Sequence, residues 1–152
     1  MNVLGVFCRT VLLVIPLMGC NSPKPQDIVG KWLPDEHSPR IIKNVFLPKP
    51  ILLAEQPSFV FGPDANFVMQ NMPGTLVFGP GRERNRIISG NGKWSVGKYA
   101  GSEVVFLEFA KIDGKEITSA TQIQISKGPQ GVVLYFWIEE EGGERFEFVK
   151  QA

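Results

Sequence analysis

Apolar and polar residues alternate along most of the chain from residue 28 onward, which is the pattern of β-strands with one buried face. The residues that share one strand face in three such segments are Val105, Leu107 and Phe109; Ile117, Ser119, Thr121, Ile123 and Ile125; and Phe146 and Phe148. Polar residues such as Glu108, Gln122 and Glu147 occupy the intervening positions. The pattern therefore predicts an all-β fold.

Turn-forming residues separate the predicted strands. Residues 62–66 (GPDAN) lie between two Phe-containing segments and have the composition of a hairpin loop. Asp113-Gly114 and Gly142-Gly143 mark two further reversals. This spacing gives about eight strands and no amphipathic helix. Because sequential antiparallel strands favour closure, we predict an antiparallel β-barrel.

Two stretches depart from simple alternation. Residues 132–138 (VVLYFWI) are apolar on both faces, which predicts either a strand covered on both sides or a strand whose outer face meets an apolar partner. Residues 34–57 contain five prolines, too many for a central strand. For this second stretch we expect a long loop across the domain, with a short helix near residues 51–55.

The first twenty residues have the features of an export signal. Residues 1–19 are almost wholly apolar and carry one charged side chain, that of Arg9. The apolar run after Arg9 is shorter than the roughly 20 residues that a membrane-spanning helix needs, and Pro16 would interrupt such a helix. We therefore expect a cleavable leader.

Leu17-Met18-Gly19-Cys20 resembles the lipobox of bacterial lipoproteins, in which the cysteine is acylated and becomes the new amino terminus. The resemblance implies a signal peptide over residues 1–19, a lipidated Cys20 with a polar tether over residues 20–27, and stable membrane attachment through several acyl chains. It also implies that Asn21 directs the protein to the outer membrane, facing the periplasm, in a Gram-negative host. An uncleaved anchor or ordinary secretion is the alternative.

The composition limits the chemistry available to the domain at residues 28–152. A chain of 152 residues suits one globular domain. Its 16 basic and 15 acidic residues provide no basic field for nucleic acid. Of the two cysteines, Cys8 lies in the leader and Cys20 is the expected lipidation site. No free thiol then remains for a nucleophile, a disulfide or a metal site.

Gly-Lys-Trp occurs twice, at residues 30–32 and 92–94. Core packing explains the repeat, because the glycines Gly30 and Gly92 let neighbouring backbone come close while Trp32 and Trp94 fill the barrel. Direct contact of either indole with a ligand is the alternative.

With these paired Gly-x-Trp strands, most of residues 27–150 resembles the lipocalin-like domains of small bacterial lipoproteins. Those domains open with a Gly-x-Trp strand and often carry a second one in the middle of the chain. The resemblance implies an eight-stranded barrel and an arginine that packs over the first tryptophan. Arg145 is the residue of this sequence that could take that place.

Three polar clusters suggest chemistry, but solvated loops explain them more simply. His37 lies in a proline-containing polar loop, and the sequence has no second histidine to complete a zinc set. Residues 139–144 are acidic but lack the spacing of a calcium loop. Arg82, Arg84 and Arg86 alternate and could bind an anion such as phosphate. We expect no metal and no cofactor.

Two functional hypotheses fit these observations. In the first, the barrel binds a small apolar ligand, and the expected wall residues are Phe59, Phe61, Phe67, Phe106, Phe136 and Trp137. In the second, the barrel is solid, and a partner protein or envelope component contacts the outer positions Val133, Tyr135 and Trp137. Both are open, because an eight-stranded interior either is filled by side chains or holds one small ligand. Catalysis is not expected, because the sequence shows no nucleophile–base or metal constellation.

Overall fold

The computed structural model describes residues 22–42, 50–79, 86–129, 131–139 and 143–152. The expected signal peptide and Cys20 lie outside these ranges. The strands are β1 (Gly30–Pro34), β2 (Ile41–Ile42), β3 (Ile51–Leu52), β4 (Ser58–Phe61), β5 (Asn66–Pro73), β6 (Ile87–Tyr99), β7 (Ser102–Ile112), β8 (Lys115–Gly128), β9 (Gly131–Glu139) and β10 (Glu144–Lys150). The helices are α1 (Pro25–Ile28) and α2 (Gly74–Phe78). Neither these nor any other helix of the described ranges has the length and apolar character needed to cross a membrane.

Eight of the strands close into an antiparallel barrel. From β4 to β10, each strand pairs with the next along the chain. Strand β1 closes the ring by pairing with β10 on one side and with β4 on the other. Strands β2 and β3 form a separate two-stranded sheet. The predicted all-β fold and the barrel of about eight strands are therefore confirmed.

The hydrophobic alternation decides which face of each strand lies inside the barrel. In β7, Val105, Leu107 and Phe109 are buried in the core while Glu108 is exposed. In β10, Phe146 and Phe148 are buried in the same way. A shift of one residue would turn each of these sets toward water. The apolar positions therefore fix the register of the sheet.

Two hairpins are closed by two-residue turns with positive φ. Asp113 and Gly114 join β7 to β8 with φ values of 47° and 77°. Ala100 and Gly101 join β6 to β7 with φ values of 48° and 83°. Positive φ at both central residues matches the twist of the flanking strands. The predicted reversal at Asp113-Gly114 is thus confirmed. The sequence does not predict the turn at Ala100, because alanine rarely takes positive φ.

The predicted hairpin loop at residues 62–66 is present between β4 and β5. The backbone N–H of Gly62 donates to the carbonyl oxygen of Asn66 over 2.8 Å. The carboxylate of Asp64 accepts hydrogen bonds from the side-chain amide and the backbone N–H of Asn66. These bonds favour the ionised carboxylate and lower the pKa of Asp64. Of the reversal predicted before β10, the structure describes Gly143, which has a φ of 68°.

The two ends of the barrel are covered differently. At the closed end, α1 leads into β1 and buries Ile28. The opposite end, which we call the mouth, receives the chain after β1 and after β5. There, Ile42 of β2 and both Leu76 and Val77 of α2 are buried in the same core cluster as the barrel residues. The mouth is therefore covered by the β2–β3 ribbon and by α2.

The structure corrects the expectation for residues 34–57. In the described part of this stretch, Ile41 pairs with Leu52 and Ile42 pairs with Ile51. The short helix expected near residues 51–55 is wrong. The β-branched isoleucines favour extended backbone, and the prolines stand outside the four paired positions.

Helix α2 is not predicted by the sequence. Its five residues, GTLVF, are too few for a helical period to be recognised among alternating strands. Leu76 and Val77 nevertheless place its apolar side against the core.

Gly92 allows two strands to approach closely. A Cβ atom at this position would lie 1.9 Å from the carbonyl oxygen of Glu108 on β7. The register of β6 against β7 shifts between Asn91 and Gly92, which is the mark of a β-bulge. The second Gly-x-Trp motif thus requires glycine at this position, because the β7 backbone leaves no room for a Cβ atom.

We predict that Gly92→Ala lowers the free energy of unfolding by about 2 kcal/mol or more, because the new methyl group fits only if the β7 backbone moves. Urea unfolding followed by tryptophan fluorescence measures the change. Gly128→Ala is the matched control, since a Cβ there would make an ordinary contact at 3.5 Å with Val133. Its effect should stay within about 0.5 kcal/mol. Equal losses in the two variants would contradict this role of Gly92.

Candidate functional site

Four of the six expected wall residues point into the barrel. Phe59, Phe61, Phe67 and Phe136 are each no more than 5% exposed and belong to one core cluster. Phe59 stacks on Phe61 with 5.5 Å between ring centroids and meets the edge of Phe148 at 5.3 Å. Phe136 lies 6.3 Å from Phe59. These rings contact one another, in the offset and edge-to-face arrangements that aromatic cores prefer.

The aromatic packing continues across the barrel. Phe61 meets Trp94 edge-on at 5.4 Å, and Phe67 meets Phe109 edge-on at 5.2 Å. Phe109 in turn lies 5.2 Å from Phe78 at the end of α2. A chain of contacting rings thus joins the barrel centre to the mouth. Trp94 and all of these phenylalanines except Phe78 belong to the buried core, against which Phe78 packs.

The other two expected wall residues, Phe106 and Trp137, lie on the outer face of the barrel. The neighbours of each along the strand, such as Leu107 and Phe136, are the inward residues. Phe106 packs over Gly97, where a Cβ atom would lie 2.7 Å from its ring, and Trp137 is 39% exposed. The expected interior position of these two residues is therefore wrong, because successive side chains along a strand point to opposite faces of the sheet.

Both tryptophans of the Gly-x-Trp repeat are buried and donate their indole N–H to a backbone carbonyl. Trp32 Nε1 donates to Ile28 O over 2.7 Å, which ties α1 to β1. Trp94 Nε1 donates to Gly62 O over 3.1 Å, which ties β6 to the loop after β4. Gly30 has a φ of 135°, a value that side chains disfavour. Packing and hydrogen bonding at the closed end account for both motifs.

Lys150, and not Arg145, lies opposite the first tryptophan of the Gly-x-Trp repeat, so the expectation for Arg145 is wrong. Lys150 is the cross-strand partner of Trp32, and its Nζ donates to the carbonyl oxygen of Asp27 over 3.2 Å. Arg145 stands near the opposite end of β10, on the outer face. The register of β1 against β10 therefore excludes a contact between Arg145 and Trp32.

A cleft opens in the barrel wall where β8 and β9 separate. The ladder between the two strands runs from Gly128 opposite Gly131 to Gln124 opposite Tyr135, and it ends there. Helix α2 lies against both strands near this point. The hydroxyl of Thr121 donates to the carbonyl oxygen of Val77 over 2.6 Å, which fixes the helix to β8.

The cleft has a volume of about 460 Å³, within the range of about 300–1,000 Å³ that small-ligand sites occupy. Its apolar floor includes Phe136, which also belongs to the core, together with residues of α2. Ser119 and Thr121 supply hydroxyl groups from the inner face of β8. Among the described residues that line the cleft there is no carboxylate, amine, guanidinium, imidazole or thiol.

The outer rim of the cleft carries two amides and two aromatic rings. Gln122 and Gln124 are successive outward-facing residues of β8, two positions apart. Tyr135 and Trp137 are the corresponding residues of β9. Sequence reasoning assigned the glutamines only to the polar face of a strand. The signal that could have singled them out is their place beside a strand that is apolar on both faces.

The guanidinium of Arg145 packs against the two aromatic rings of the rim. Tyr135 and Trp137 meet edge-to-face with 5.3 Å between centroids. The guanidinium of Arg145 lies 4.7 Å from the Tyr135 ring and 5.8 Å from the Trp137 ring, within the range of cation–π attraction. Arg145 Nη2 is also 3.1 Å from Glu147 Oε1. The positive charge beside the cleft is therefore paired.

The remaining sequence candidates do not join this site. The His37 side chain is 84% exposed, and its backbone N–H donates to Asp35, which lowers the pKa of that carboxylate. Arg86 pairs with Asp113, whereas Arg82 and Arg84 lie outside the described residues. Within the described part of the chain, no group of three or more potential metal ligands comes together.

Comparison of the chain with protein-family models, with curated proteins and with solved structures finds no match. The candidate site is therefore defined by its own geometry. It is a wall cleft with an apolar floor, hydroxyl groups on one side and an amide and aromatic rim.

We predict that Thr121→Val loosens α2, because the carbonyl of Val77 loses its hydrogen-bond donor. The free energy of unfolding should fall by about 1–2 kcal/mol, and amide hydrogen exchange at residues 74–79 should become faster. Thr118→Val makes the same chemical change at an exposed position of β8 and should leave this exchange unchanged. Unaltered protection of α2 in Thr121→Val would contradict the assignment.

Proposed function

We propose that the protein is a lipid-anchored lipoprotein of the cell envelope whose lipocalin-like barrel binds a small ligand in the wall cleft. The eight sequential antiparallel strands support the lipocalin-like assignment.

The separation of β8 from β9 is the observation that carries the proposal. The described core is packed with contacting rings, whereas this part of the wall has an open volume with an apolar floor and with hydroxyl and amide groups around it. Such a combination of apolar surface with a few orienting polar groups is typical of small-ligand sites. The described lining holds no carboxylate, imidazole, amine or thiol, the groups that most often act in acid–base and nucleophilic catalysis, and we therefore propose binding.

The anchor is proposed from the lipobox that ends at Cys20. Ser22, the first described residue, precedes α1 at the closed end. Two residues of chain span at most about 7 Å, so a lipid on Cys20 would hold the closed end near the membrane surface. The cleft, which lies toward the mouth, would then be separated from that membrane by the closed end of the barrel. In a Gram-negative host, Asn21 favours the outer membrane and the periplasm.

A second candidate function is a protein-interaction module with a solid barrel. The packed aromatic interior and the outer row of Val133, Tyr135 and Trp137 favour it. Val133 lies outside the cleft lining, and so Val133→Ser separates the two functions. The substitution should leave ligand binding intact, whereas it should weaken assembly if the outer row contacts a partner.

We predict that filling the cleft removes a bound molecule. The probe is a native mass spectrum of the full, processed protein, extracted from its own membranes in a polyoxyethylene detergent. The wild type should carry an extra mass that is lost on denaturation. Ala120→Trp should lack it, because Ala120 lines the cleft and is exposed, so that an indole there occupies the volume.

Val68→Trp is the control for this experiment. Val68 is 45% exposed on β5 and lies outside the cleft lining, so the variant should retain the extra mass. Equal masses of native and denatured wild type, or a mass that persists in Ala120→Trp, would count against ligand binding in the cleft.

We also predict that Cys20→Ala leaves an uncleaved precursor without lipid, because no thiol is left to carry the diacylglyceryl group. Electrophoresis of membrane fractions, with labelling by radioactive fatty acid, measures both properties. A variant that is still cleaved and still labelled would overturn the lipoprotein assignment without touching the proposal for the cleft.

A further inference from the structure

We propose that the wall cleft recognises an uncharged saccharide. This inference rests on the proposed function and names the chemical class of its ligand. Three features of the cleft carry it: the absence of ionic side chains from its described lining, the pair of amides on its rim, and the exposed indole beside them.

The first feature concerns charge. A ligand with a carboxylate or phosphate would leave water for a cleft whose described lining holds no countercharge, which is unfavourable. Arg145 stands beside the rim, but its guanidinium is engaged by Glu147 and by the ring of Tyr135. The cleft therefore selects against ionic ligands.

A neighbouring cavity at the mouth shows the contrast. It has a volume of about 390 Å³ and is lined by Arg86, Lys115 and Glu116, by apolar residues, and by Ser119, which also lines the wall cleft. An ionic amphiphile would find countercharges there. The wall cleft differs from this cavity in its polar groups, which are all neutral hydroxyls and amides.

The second feature is the pair of amides. Gln122 and Gln124 lie two positions apart on one strand face, which places them about 7 Å from each other. Neither side chain is hydrogen-bonded to another described residue. A glutamine amide presents a carbonyl acceptor beside an NH₂ donor, and neighbouring hydroxyls of a sugar offer the complementary donor and acceptor. A purely apolar ligand would bury these amides without partners, at a cost in affinity.

The third feature is the indole of Trp137, which is 39% exposed at the cleft rim. The face of an aromatic ring is electron-rich, and the C–H groups on one side of a pyranose ring carry the opposite partial charge. Tyr135 and Arg145 pack around the indole and fix its orientation. A sugar ring stacked on Trp137 would have its hydroxyl edge within reach of the amides of β8.

The test uses the full, processed protein in polyoxyethylene detergent, which contains no sugar. Isothermal titration calorimetry measures binding of the uncharged trimer of N-acetylglucosamine and, for comparison, of the anionic trimer of galacturonic acid. We expect saturable binding of the uncharged trimer and affinity at least about tenfold lower for the anionic one.

Two substitutions link the binding to the cleft. Trp137→Ala should weaken binding of the uncharged trimer at least about tenfold, because it removes the stacking surface. Gln122→Ala should weaken it about three- to tenfold, because it removes hydrogen bonds. Gln70→Ala is the control, since Gln70 is an exposed amide on β5, outside the cleft lining. Unfolding curves of all three variants confirm that the barrel is folded.

The outcomes separate this inference from the proposed function. If the uncharged trimer does not bind, while the native mass spectrum shows a molecule that Ala120→Trp excludes, the saccharide inference is overturned and ligand binding stands. If neither is seen, both are overturned. Binding that survives Trp137→Ala and Gln122→Ala unchanged, or that favours the anionic trimer, also overturns the inference.

Discussion

Contact between aromatic rings inside the barrel is the interaction on which the rest of the structure depends. An eight-stranded barrel is just wide enough for its interior to be filled by side chains. Phe59 occupies this interior with Phe61, Phe136 and Phe148 around it. Burial of each such ring stabilises the fold by about 1.5–3 kcal/mol. Because these rings contact one another in the interior, the proposed ligand site lies at the edge of the core.

The wall cleft lies between two strands, β8 and β9, that stop pairing before they end. Beyond Gln124 and Tyr135, β8 and β9 diverge, and α2 closes the inner side of the gap through Val77. This arrangement also explains why β9 is apolar on both faces. Phe136 faces the core, whereas Trp137 on the opposite face meets Arg145 and the cleft. One strand therefore serves both the packed interior and the open rim.

Local sequence signals predict much of the barrel. Alternation gives the inward residues of β7 and β10, and Asp113-Gly114 gives a tight hairpin, because both depend on a few neighbouring residues. In residues 132–138, however, apolar side chains on both faces conceal which face is inward. For this reason Trp137 was expected beside Phe136 in the interior. If the sequence had shown that Leu134 points inward, alternation would have placed Phe136 inside the barrel and Trp137 outside it.

Other features depend on contacts between distant parts of the chain. The identity of Lys150 as the cation near Trp32 follows from the register of β1 against β10, which the sequence of neither strand contains. The β8–β9 ladder ends beside α2, a helix too short to leave a periodic signal. The cleft lies where this ladder ends against α2, which is a contact between distant parts of the chain, and so its glutamines could not be recognised as site residues from their spacing.

The most direct test of this account is fluorine NMR of the protein labelled with 5-fluorotryptophan. The chain has three tryptophans, of which Trp32 and Trp94 are buried in the core and Trp137 stands at the cleft. Titration with the uncharged trimer of N-acetylglucosamine should shift the Trp137 resonance and leave the other two in place. A shift of the Trp32 or Trp94 resonance would place the ligand inside the barrel and contradict the central claim, as would three resonances that do not respond.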